Sequence, residues 1–333
     1  MVNVATQLEV ANTSPQDTPT FIDHPSGFLA FNSQNGQFAL DGIPGFISFR
    51  EQGRHLIAFG GVHAAASDRG KLLDGFVTHA KSRGRCILFV QVREGQAGLF
   101  LERGFTVNQF GTSFGIDLRR FNLSGTAKMQ LRNKINHARR LGLRIAEVGH
   151  EIPRDENTFS QLHAISEEWL RCKGKELDFM IGEIGKTEEV RRRIFMVFDP
   201  SSEPVGFITY VPVWGRTAGY LHDLTRRLPT APPGAMELCN AFAIARMVQE
   251  GVAFLHFGFT PFITDKAELP GSNRVVAWVI RQLRKYGNFI YPAESQARYK
   301  LKWGPQVIER EYVAALPLSV RSIIDLLILT RSV

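Results

Sequence analysis

The stretch TAKMQLRNKINHARRLGLR, Thr126–Arg144, holds Lys128, Arg132, Lys134, Arg139, Arg140 and Arg144 and no acidic residue. Leu131, Ile135 and Ala138 recur at helical spacing, which predicts one amphipathic helix with a buried stripe and a cationic face. Gly142 supplies its stop. Between Asp117 and Glu147 the chain passes eight Lys or Arg and no carboxylate. Solvated faces usually mix signs, because like charges one turn apart repel by about 0.2–0.5 kcal/mol. The pattern predicts an anion-binding face. Charge alone does not choose between nucleic-acid phosphates and the headgroups of an anionic membrane.

On the N-terminal side, GFLAFN, QFALD and GFISFREQGRHLIAFGG read as short strands broken by Gly, Asn and Asp turn signals. DRGKLLDGFVTHAKSRG reads as a helix, CILFVQV as a buried strand, AGLFLERGF as a short helix and SFGIDL as a strand. On the C-terminal side, LRIAEV opens a second unit, and ENTFSQLHAISEEWLRCKG is helical. RRIFMVFD, PVGFITYVPVW and TAGYLHDLT are strands, GAMELCNAFAIARMVQEG a buried helix, VAFLHFGF a strand and NRVVAWVIRQLRKYG a helix. The order of strand, helix, strands, helix and strand thus occurs twice, without a direct sequence repeat. The expected organisation is a flexible tail over 1–19, an N-terminal α/β unit over 20–120 and the basic helix within 121–144. A second unit over 145–315 and a terminal helix over 316–333 complete it.

Composition fits a globular chain with room for two cores: 333 residues, 44% hydrophobic and 22% charged, with a net charge of +8. Cys86, Cys172 and Cys239 are far apart, odd in number and form no CxxC, a pattern that speaks against a disulfide framework or a zinc site and fits a reducing cytoplasm best. The first residues lack a basic segment followed by an apolar one, so they do not read as a signal peptide. No run approaches the roughly 20 apolar residues that cross a bilayer. SIIDLLILT is short and contains Asp325; it fits a packed terminal helix better than one lying on a membrane. His163 has no metal-ligand spacing to another His or Cys, and no metal is expected. His256 reads as a core histidine.

Several stretches together resemble one family: FNLSGTAKMQLRNKINHARRLGL, WLRCKGKELDFMIGE, GFITYVPVWG, YLHDLTRRLPTAPPGAMELCNAFAI, LHFGFTPF and YKLKWGP. They are similar to the catalytic portion of phosphatidylglycerol lysyl- and alanyltransferases, from about residue 25 to 315. The most specific part is Asp223-Leu224-Thr225-Arg226-Arg227 with APPGAMEL. The resemblance implies an α/β (α+β) fold of two tandem acyltransferase domains of the acetyltransferase (GNAT) type, joined by the basic helix. It implies aminoacyl transfer from aminoacyl-tRNA, with tRNA as co-substrate and no separate cofactor. The family pattern Phe-Lys-x-Lys-Phe-x-Pro becomes Tyr299-Lys300-Leu301-Lys302-Trp303-Gly304-Pro305, with both lysines kept. Membrane-bound members carry many transmembrane helices ahead of this portion, and stand-alone relatives acylate small hydroxylamines in biosynthesis. Both a lipid acceptor and a small-molecule acceptor therefore stay open, as does peripheral contact with an anionic membrane.

An aminoacyl ester is already activated, so transfer needs alignment, a proton route and oxyanion stabilisation rather than a nucleophilic triad. No GxSxG is present, and direct attack fits best. The resemblance makes Asp223 the first choice to orient or deprotonate the acceptor, the alternative being a turn-forming residue. His222 precedes it at an expected strand end, where alternation sends the two side chains to opposite faces. Arg226 suits phosphate or carboxylate. Lys302 and Lys300, expected on one strand face, would supply the cation at the carbonyl oxygen or hold phosphate. Glu237 either complements a helix N-terminus or holds the donor's α-ammonium group. Tyr210 and Trp214 line a tunnel or stack on adenine, unless they simply pack in the core; Asn240 joins the substrate-binding set. The tRNA-binding set is Lys128, Arg132, Lys134, Arg139 and Arg140. The competing class, an acyl-CoA-dependent N-acyltransferase, usually presents a [Q/R]xxGx[G/A] loop before a helix. ASDRGKLLDG and LPTAPPGAMEL do not fit it, and Pro232 and Pro233 remove amide donors.

Overall fold

The computed structural model describes residues 21–173, 178–186, 189–265, 269, 272–287 and 291–332. The expected tail over 1–19 lies outside the described residues. The Phe- and Ile-rich segments form a meander of β1 (Gly36–Leu40), β2 (Ile43–Gln52) and β3 (His55–Ala64). Helix α1 (Arg69–Ser82) then crosses to β4 (Cys86–Arg93), which runs parallel to β3. Helix α2 (Glu94–Leu101) leads into β5 (Thr106–Asp117). After α3 (Met129–Arg140), the chain forms β6 (Arg144–Glu147), α4 (Glu156–Lys173), β7 (Arg193–Phe198), β8 (Pro204–Val213) and β9 (Gly219–Arg227). These four strands are antiparallel neighbours, and α5 (Ala235–Gln249) crosses from β9 to β10 (Phe254–Pro261), its parallel partner. Helices α6 (Arg274–Tyr286) and α7 (Ala293–Leu301), strand β11 (Val307–Leu316) and helix α8 (Val320–Leu329) complete the described elements.

The strands form one mixed sheet in the order β1-β2-β3-β4-β11-β5-β10-β9-β8-β7-β6. The last strand of the chain, β11, lies between β4 and β5, and β5 reaches over to β10. Each half thus lends a strand to the other, and the sheet has no internal edge at the middle. A parallel pair with a crossover helix occurs once on each side, as such pairs require.

Helix α3 buries the stripe anticipated from spacing: Leu131, Ile135 and Ala138 pack with Ile116, Leu118, Ala235 and Leu238 in one core. Burying each such aliphatic side chain contributes about 1.5–3 kcal/mol, which fixes the helix whatever its charges prefer. Gly234, at φ +89°, allows α5 to start against α3; a Cβ there would lie 2.4 Å from the Lys134 carbonyl oxygen.

Three expectations change. GFLAFN is not a strand: Gly27–Phe31 form a 3-10 turn. Side chains replace a ladder partner there, since Asn35 Nδ2 donates to the Leu29 oxygen and Ser48 Oγ to the Ala30 oxygen. Strand β9 does not end at His222-Asp223; pairing with β8 continues to Arg227. Lys300 and Lys302 do not lie on a strand, because Ala293–Leu301 is helical and Lys302 is its C-terminal cap.

Candidate functional site

Strands β9 and β10 pair only from Gly219/Phe254 to Leu221/His256. Beyond that point β9 stays with β8 and β10 stays with β5, so the two strands diverge. Gly258, at φ +68° in a bulge of β10, completes the departure. The opening is a cleft of about 300 Å³, walled by Trp169, Leu221, Phe257, Phe259, Phe262 and Tyr299. Diverging strands leave main-chain and side-chain polar groups without ladder partners, and an apolar cleft with a few convergent polar groups is the expected shape of a small-ligand site.

A second bulge aims those polar groups. Ile208 faces Thr225 and Tyr210 faces His222, so Asp223 and Leu224 together oppose Thr209. Thr209 Oγ1 accepts from the Leu224 amide at 3.0 Å, repairing the ladder. The bulge follows Asp223, so the alternation of His222 and Asp223 stands: His222 turns to Tyr210, Phe257 and Tyr299 on one face and Asp223 to Gly182 and Arg192 on the other. With β9 and β10 parted, the cleft is lined from both faces, by His222, Asp223, Thr225 and Arg226. His222 Nε2 lies 2.7 Å from Thr225 Oγ1, and its ring packs beside Tyr210, Phe257 and Tyr299. Burial, reinforced by Lys300 and Lys302, pushes the imidazole down to about 3, so His222 is neutral. Its Nδ1 has no hydrogen-bond partner among the described residues.

Asp223 is clamped. One carboxylate oxygen accepts from the Gly182 amide and the other from Arg192 Nη1, both at 2.8 Å. A Cβ on Gly182 would lie 1.7 Å from Asp223 Oδ2, so the close approach requires glycine. Burial pushes the Asp223 carboxyl upward against the pull of Arg192. Arg226 is buried and stacks its guanidinium 4.0 Å from the centre of the Trp169 ring.

The two lysines part company. Lys300 is buried and donates to the Gly258 and Phe259 carbonyl oxygens at 3.0 and 2.8 Å. Burial lowers its pKa to about 7. Glu311, buried on β11 and hydrogen-bonded by Ser113 Oγ, is pushed up by burial to about 7. Lys302 donates to Glu237 Oε1 at 2.8 Å and stands 3.8 Å over the Tyr299 ring. Burial lowers its pKa too. Glu237 lies in the first turn of α5. Burial opposes its ionisation, but Lys302 and then Lys134 hold the carboxyl below its ordinary range. Two residues of the set sit deeper: Tyr210 donates to Asn240 Oδ1 at 2.5 Å, leaving Asn240 Nδ2 buried without a hydrogen-bond partner among the described residues. Trp214 is not brought to the cleft; it packs on Phe28 and Phe31. His256 accepts the structural role expected of it, 2.8 Å from the Thr217 carbonyl oxygen.

The basic residues around α3 divide by task. Lys128 donates to the Asn122 carbonyl oxygen and Arg132 to those of Leu123 and Gly125, which ties down the preceding loop. Lys134 reaches within 3.5 Å of Glu237 Oε1 and so connects the helix to the site. Arg139 and Arg140 are exposed at its C-terminal end, where cations also complement the helix dipole. Thr225, Tyr299, Trp169 and Arg192 were not singled out from sequence. Thr225, Tyr299 and Trp169 lie inside the quoted motifs, whereas Arg192 carries no local signal. Among the described residues, no three His, Cys, Asp or Glu side chains gather as a metal site.

Residues 18–315 match the family described as phosphatidylglycerol lysyltransferase, C-terminal. The chain belongs to this family. It is 24% identical over 279 residues to phosphatidylglycerol lysyltransferase of Bacillus subtilis, covering 83% of this chain and 32% of that protein. It is 23% identical over 242 residues to the lysylphosphatidylglycerol biosynthesis bifunctional protein LysX of Rhodococcus opacus, covering 72% of this chain and 21% of that one. The chain thus spans about a third or less of the length of these curated relatives. Its fold is that of L-PGS from Bacillus licheniformis, with a TM-score of 0.75 at 22% identity over 93% of this chain and 92% of the other. The C-terminal domain of an Agrobacterium fabrum protein, described as a putative lysylphosphatidylglycerol synthetase, superposes with a TM-score of 0.77 at 20% identity, covering 96% of each.

Proposed function

We propose that this chain moves an aminoacyl group from an aminoacyl-tRNA to the hydroxyl of a phosphatidylglycerol-type lipid by direct attack in the β9–β10 cleft. The observation that carries the reading is the continuous run from α3 to the cleft: Lys134, Glu237 and Lys302 form one chain of contacts beside Tyr299 and His222. The names of the family and of the relatives supply the acceptor class. We read the two sides of the sheet as tandem acyltransferase units with α3 as the link and the phosphate-facing element. The acceptor arm of tRNA needs to be read only by shape and charge, which exposed Arg139 and Arg140 can provide.

In this reading Glu237 receives the α-ammonium of the aminoacyl group, which takes over part of the role of Lys302. The freed ammonium then faces the ester carbonyl oxygen as negative charge develops on it. Such a donor contributes about 2.7–4 kcal/mol where it is preorganised and shielded from water. Arg226, held flat by Trp169, is placed for the acceptor phosphate. The acceptor oxygen forms the new C–O bond while the bond to the tRNA ribose oxygen breaks. The proton lost by the acceptor hydroxyl is the proton gained by the ribose oxygen. No group need hold it between the two, so a neutral imidazole beside a hydroxyl, His222 with Thr225, can relay it. Asp223 acts through its clamp, fixing the 178–186 segment and the strand that carries Arg226.

The test offers purified protein a mixture of labelled aminoacyl-tRNAs with phosphatidylglycerol vesicles. The expected result is ribonuclease-sensitive loss of label from one tRNA species and its appearance in the organic phase. Label appearing only in a water-soluble product would replace the lipid by a small acceptor. Indifference to every aminoacyl-tRNA together with turnover of a coenzyme A thioester would overturn the reading.

A further inference from the structure

Helix α6 is amphipathic in an unusual sense. Its inner face is narrow: Ala277 and Ile280 are buried, and the helix packs through them on Phe262 and Ala293, with Phe110 and Tyr291 alongside. Phe110, Phe262 and Tyr291 also line the cleft, so α6 backs one of its walls. The outer face carries large apolar side chains in the open: Val275 is 69% exposed, Trp278 56% and Tyr286 63%. Around Trp278 stand Arg274 one turn before and Arg281 and Lys285 one and two turns after, all exposed. The helix holds four basic residues, with Arg284, and no acid.

Helix α8 presents the same kind of face on another wall of that cleft. Leu326, Leu327 and Thr330 contribute to the lining. Asp325 anchors the helix from within, bound to His55 Nδ1 at 2.7 Å and to Arg321. On the outside, Val320, Ile324 and Ile328 form an exposed stripe at one-turn spacing, with Arg321 and Arg331 at its ends. Two helices flanking one cleft thus both turn apolar residues to solvent, and both are bordered by cations. A second copy of the chain is a poor occupant, because a two-fold contact through α6 would set Arg274 and Lys285 against their equivalents, Arg284 being paired with Glu294. A nucleic acid would use the cations but gains little from Val275 or from the aliphatic stripe of α8.

We propose that α6 and the outer face of α8 rest on an anionic phospholipid surface, with Val275, Trp278, Ile324 and Ile328 at the headgroup–acyl boundary and Arg274 and Lys285 among the phosphates. Trp at the boundary with Arg and Lys reaching the headgroups is the chemistry of an interfacial helix. The consequence is that a lipid acceptor enters the cleft sideways from the bilayer instead of crossing water. This deepens the proposed function and rests on its lipid acceptor for that consequence; the docking itself does not depend on transfer.

The full chain is centrifuged with vesicles made of equal parts phosphatidylglycerol and phosphatidylcholine, and with vesicles of phosphatidylcholine alone. The wild type sediments with the first and not with the second. Val275→Ser/Trp278→Ser lowers the vesicle partition coefficient by about tenfold or more, with circular dichroism and melting unchanged. Ile324→Ser/Ile328→Ser lowers it less. Aminoacyl transfer is then measured to a short-chain phosphatidylglycerol dispersed as monomers. Equal rates for wild type and the Val275/Trp278 variant, with the variant slow on vesicles, support the surface. Absence of transfer to either form of the lipid, with the vesicle-binding difference intact, leaves the surface standing and removes the lipid acceptor. The proposal is overturned if the wild type ignores phosphatidylglycerol vesicles, if it binds both vesicle types equally, or if the Val275/Trp278 variant binds as the wild type does. Concentration-dependent dimerisation lost in that variant, without vesicle binding, overturns it in favour of a second copy.

Discussion

The parallel pairs β3–β4 and β9–β10 start alike and finish differently. Each pairs over a short run and then separates, with a positive-φ residue just beyond the last pair, Gln91 on β4 and Gly258 on β10. On the N-terminal side a neutral side chain bridges the separation. Gln96 from α2 stands in for a strand, its amide accepting from the Val62 N–H and donating to the Val62 carbonyl oxygen at 2.9 and 3.2 Å. His24 and His63 fill the neighbourhood, both buried and both held neutral by burial. On the C-terminal side a cation does the capping: Lys300 holds the free carbonyls of β10, and the β9 edge is left to the cleft. The same departure of two strands is thus bridged by a neutral amide in one half and left as an apolar cleft in the other. What differs is the side chain sent in, Gln96 from α2 or Lys300 from α7.

The largest expected effect sits at the clamp that shapes the open side. Asp223→Ala leaves the buried Arg192 without its hydrogen-bonded carboxylate and with only the looser ion pair to Glu189 at 3.7 Å, so it should lower stability by about 3–5 kcal/mol and abolish transfer. Urea denaturation and the transfer assay check the two parts. Unchanged stability would mean that Asp223 does not organise this wedge.

The pH dependence of stability sharpens the contrast between a neutral cap and a charged one. Glu311 ionises near 7 in the folded protein against an ordinary 4.5. The folded state therefore binds the extra proton between those values, and stability falls as pH rises through that window. Lys300 ionises near 7 against an ordinary 10.5. The unfolded state binds the extra proton above 7, so stability rises from there toward 10.5. Each group contributes a slope of up to about 1.4 kcal/mol per pH unit in its window. Glu311→Gln should flatten the acid limb and Lys300→Met the alkaline one, read from unfolding free energies across pH. Limbs that persist in both variants would assign the slopes elsewhere.

On the bridged side, Gln96→Ala should cost about 1–2 kcal/mol in denaturant unfolding and leave transfer unchanged. Loss of transfer there would mean that the N-terminal wedge is also a working site. The smallest effect is expected at the far end of α3. Arg139→Gln/Arg140→Gln should weaken tRNA binding several-fold and reduce its salt slope by about one to two. Arg132 is a poorer probe, since it holds the 123–125 carbonyls.

This contrast also marks what was legible beforehand. Helices with a clear apolar stripe, such as α3 and α5, could be read because 3.6-residue spacing is local information. Strand β11 could not, because its partners β4 and β5 lie roughly 190 to 230 residues earlier and only the closed sheet reveals its place. Asp223, Arg226, Glu237 and Lys302 were singled out from motifs; Asp223 and Arg226 line the cleft from β9, while Glu237 at the start of α5 pairs with Lys302 at the end of α7. Their geometry was less accessible. Alternation places His222 and Asp223 on opposite faces as expected, but the parting of β9 from β10 lets one cleft reach both, and a helix in place of a strand separates Lys300 from Lys302. Trp214 illustrates the limit of composition, since an aromatic residue in a site-rich segment went to the core instead.

The central claim, that Lys302 beside Glu237 stabilises the ester's oxyanion in the open wedge, has a direct test. Single-turnover transfer from a bound aminoacyl-tRNA to phosphatidylglycerol is measured for wild type and Lys302→Ala, with tRNA binding followed in the same samples. The account predicts unchanged tRNA binding and a rate lowered by about 10²–10³-fold. Transfer at the wild-type rate in Lys302→Ala, with tRNA equally bound, would contradict it.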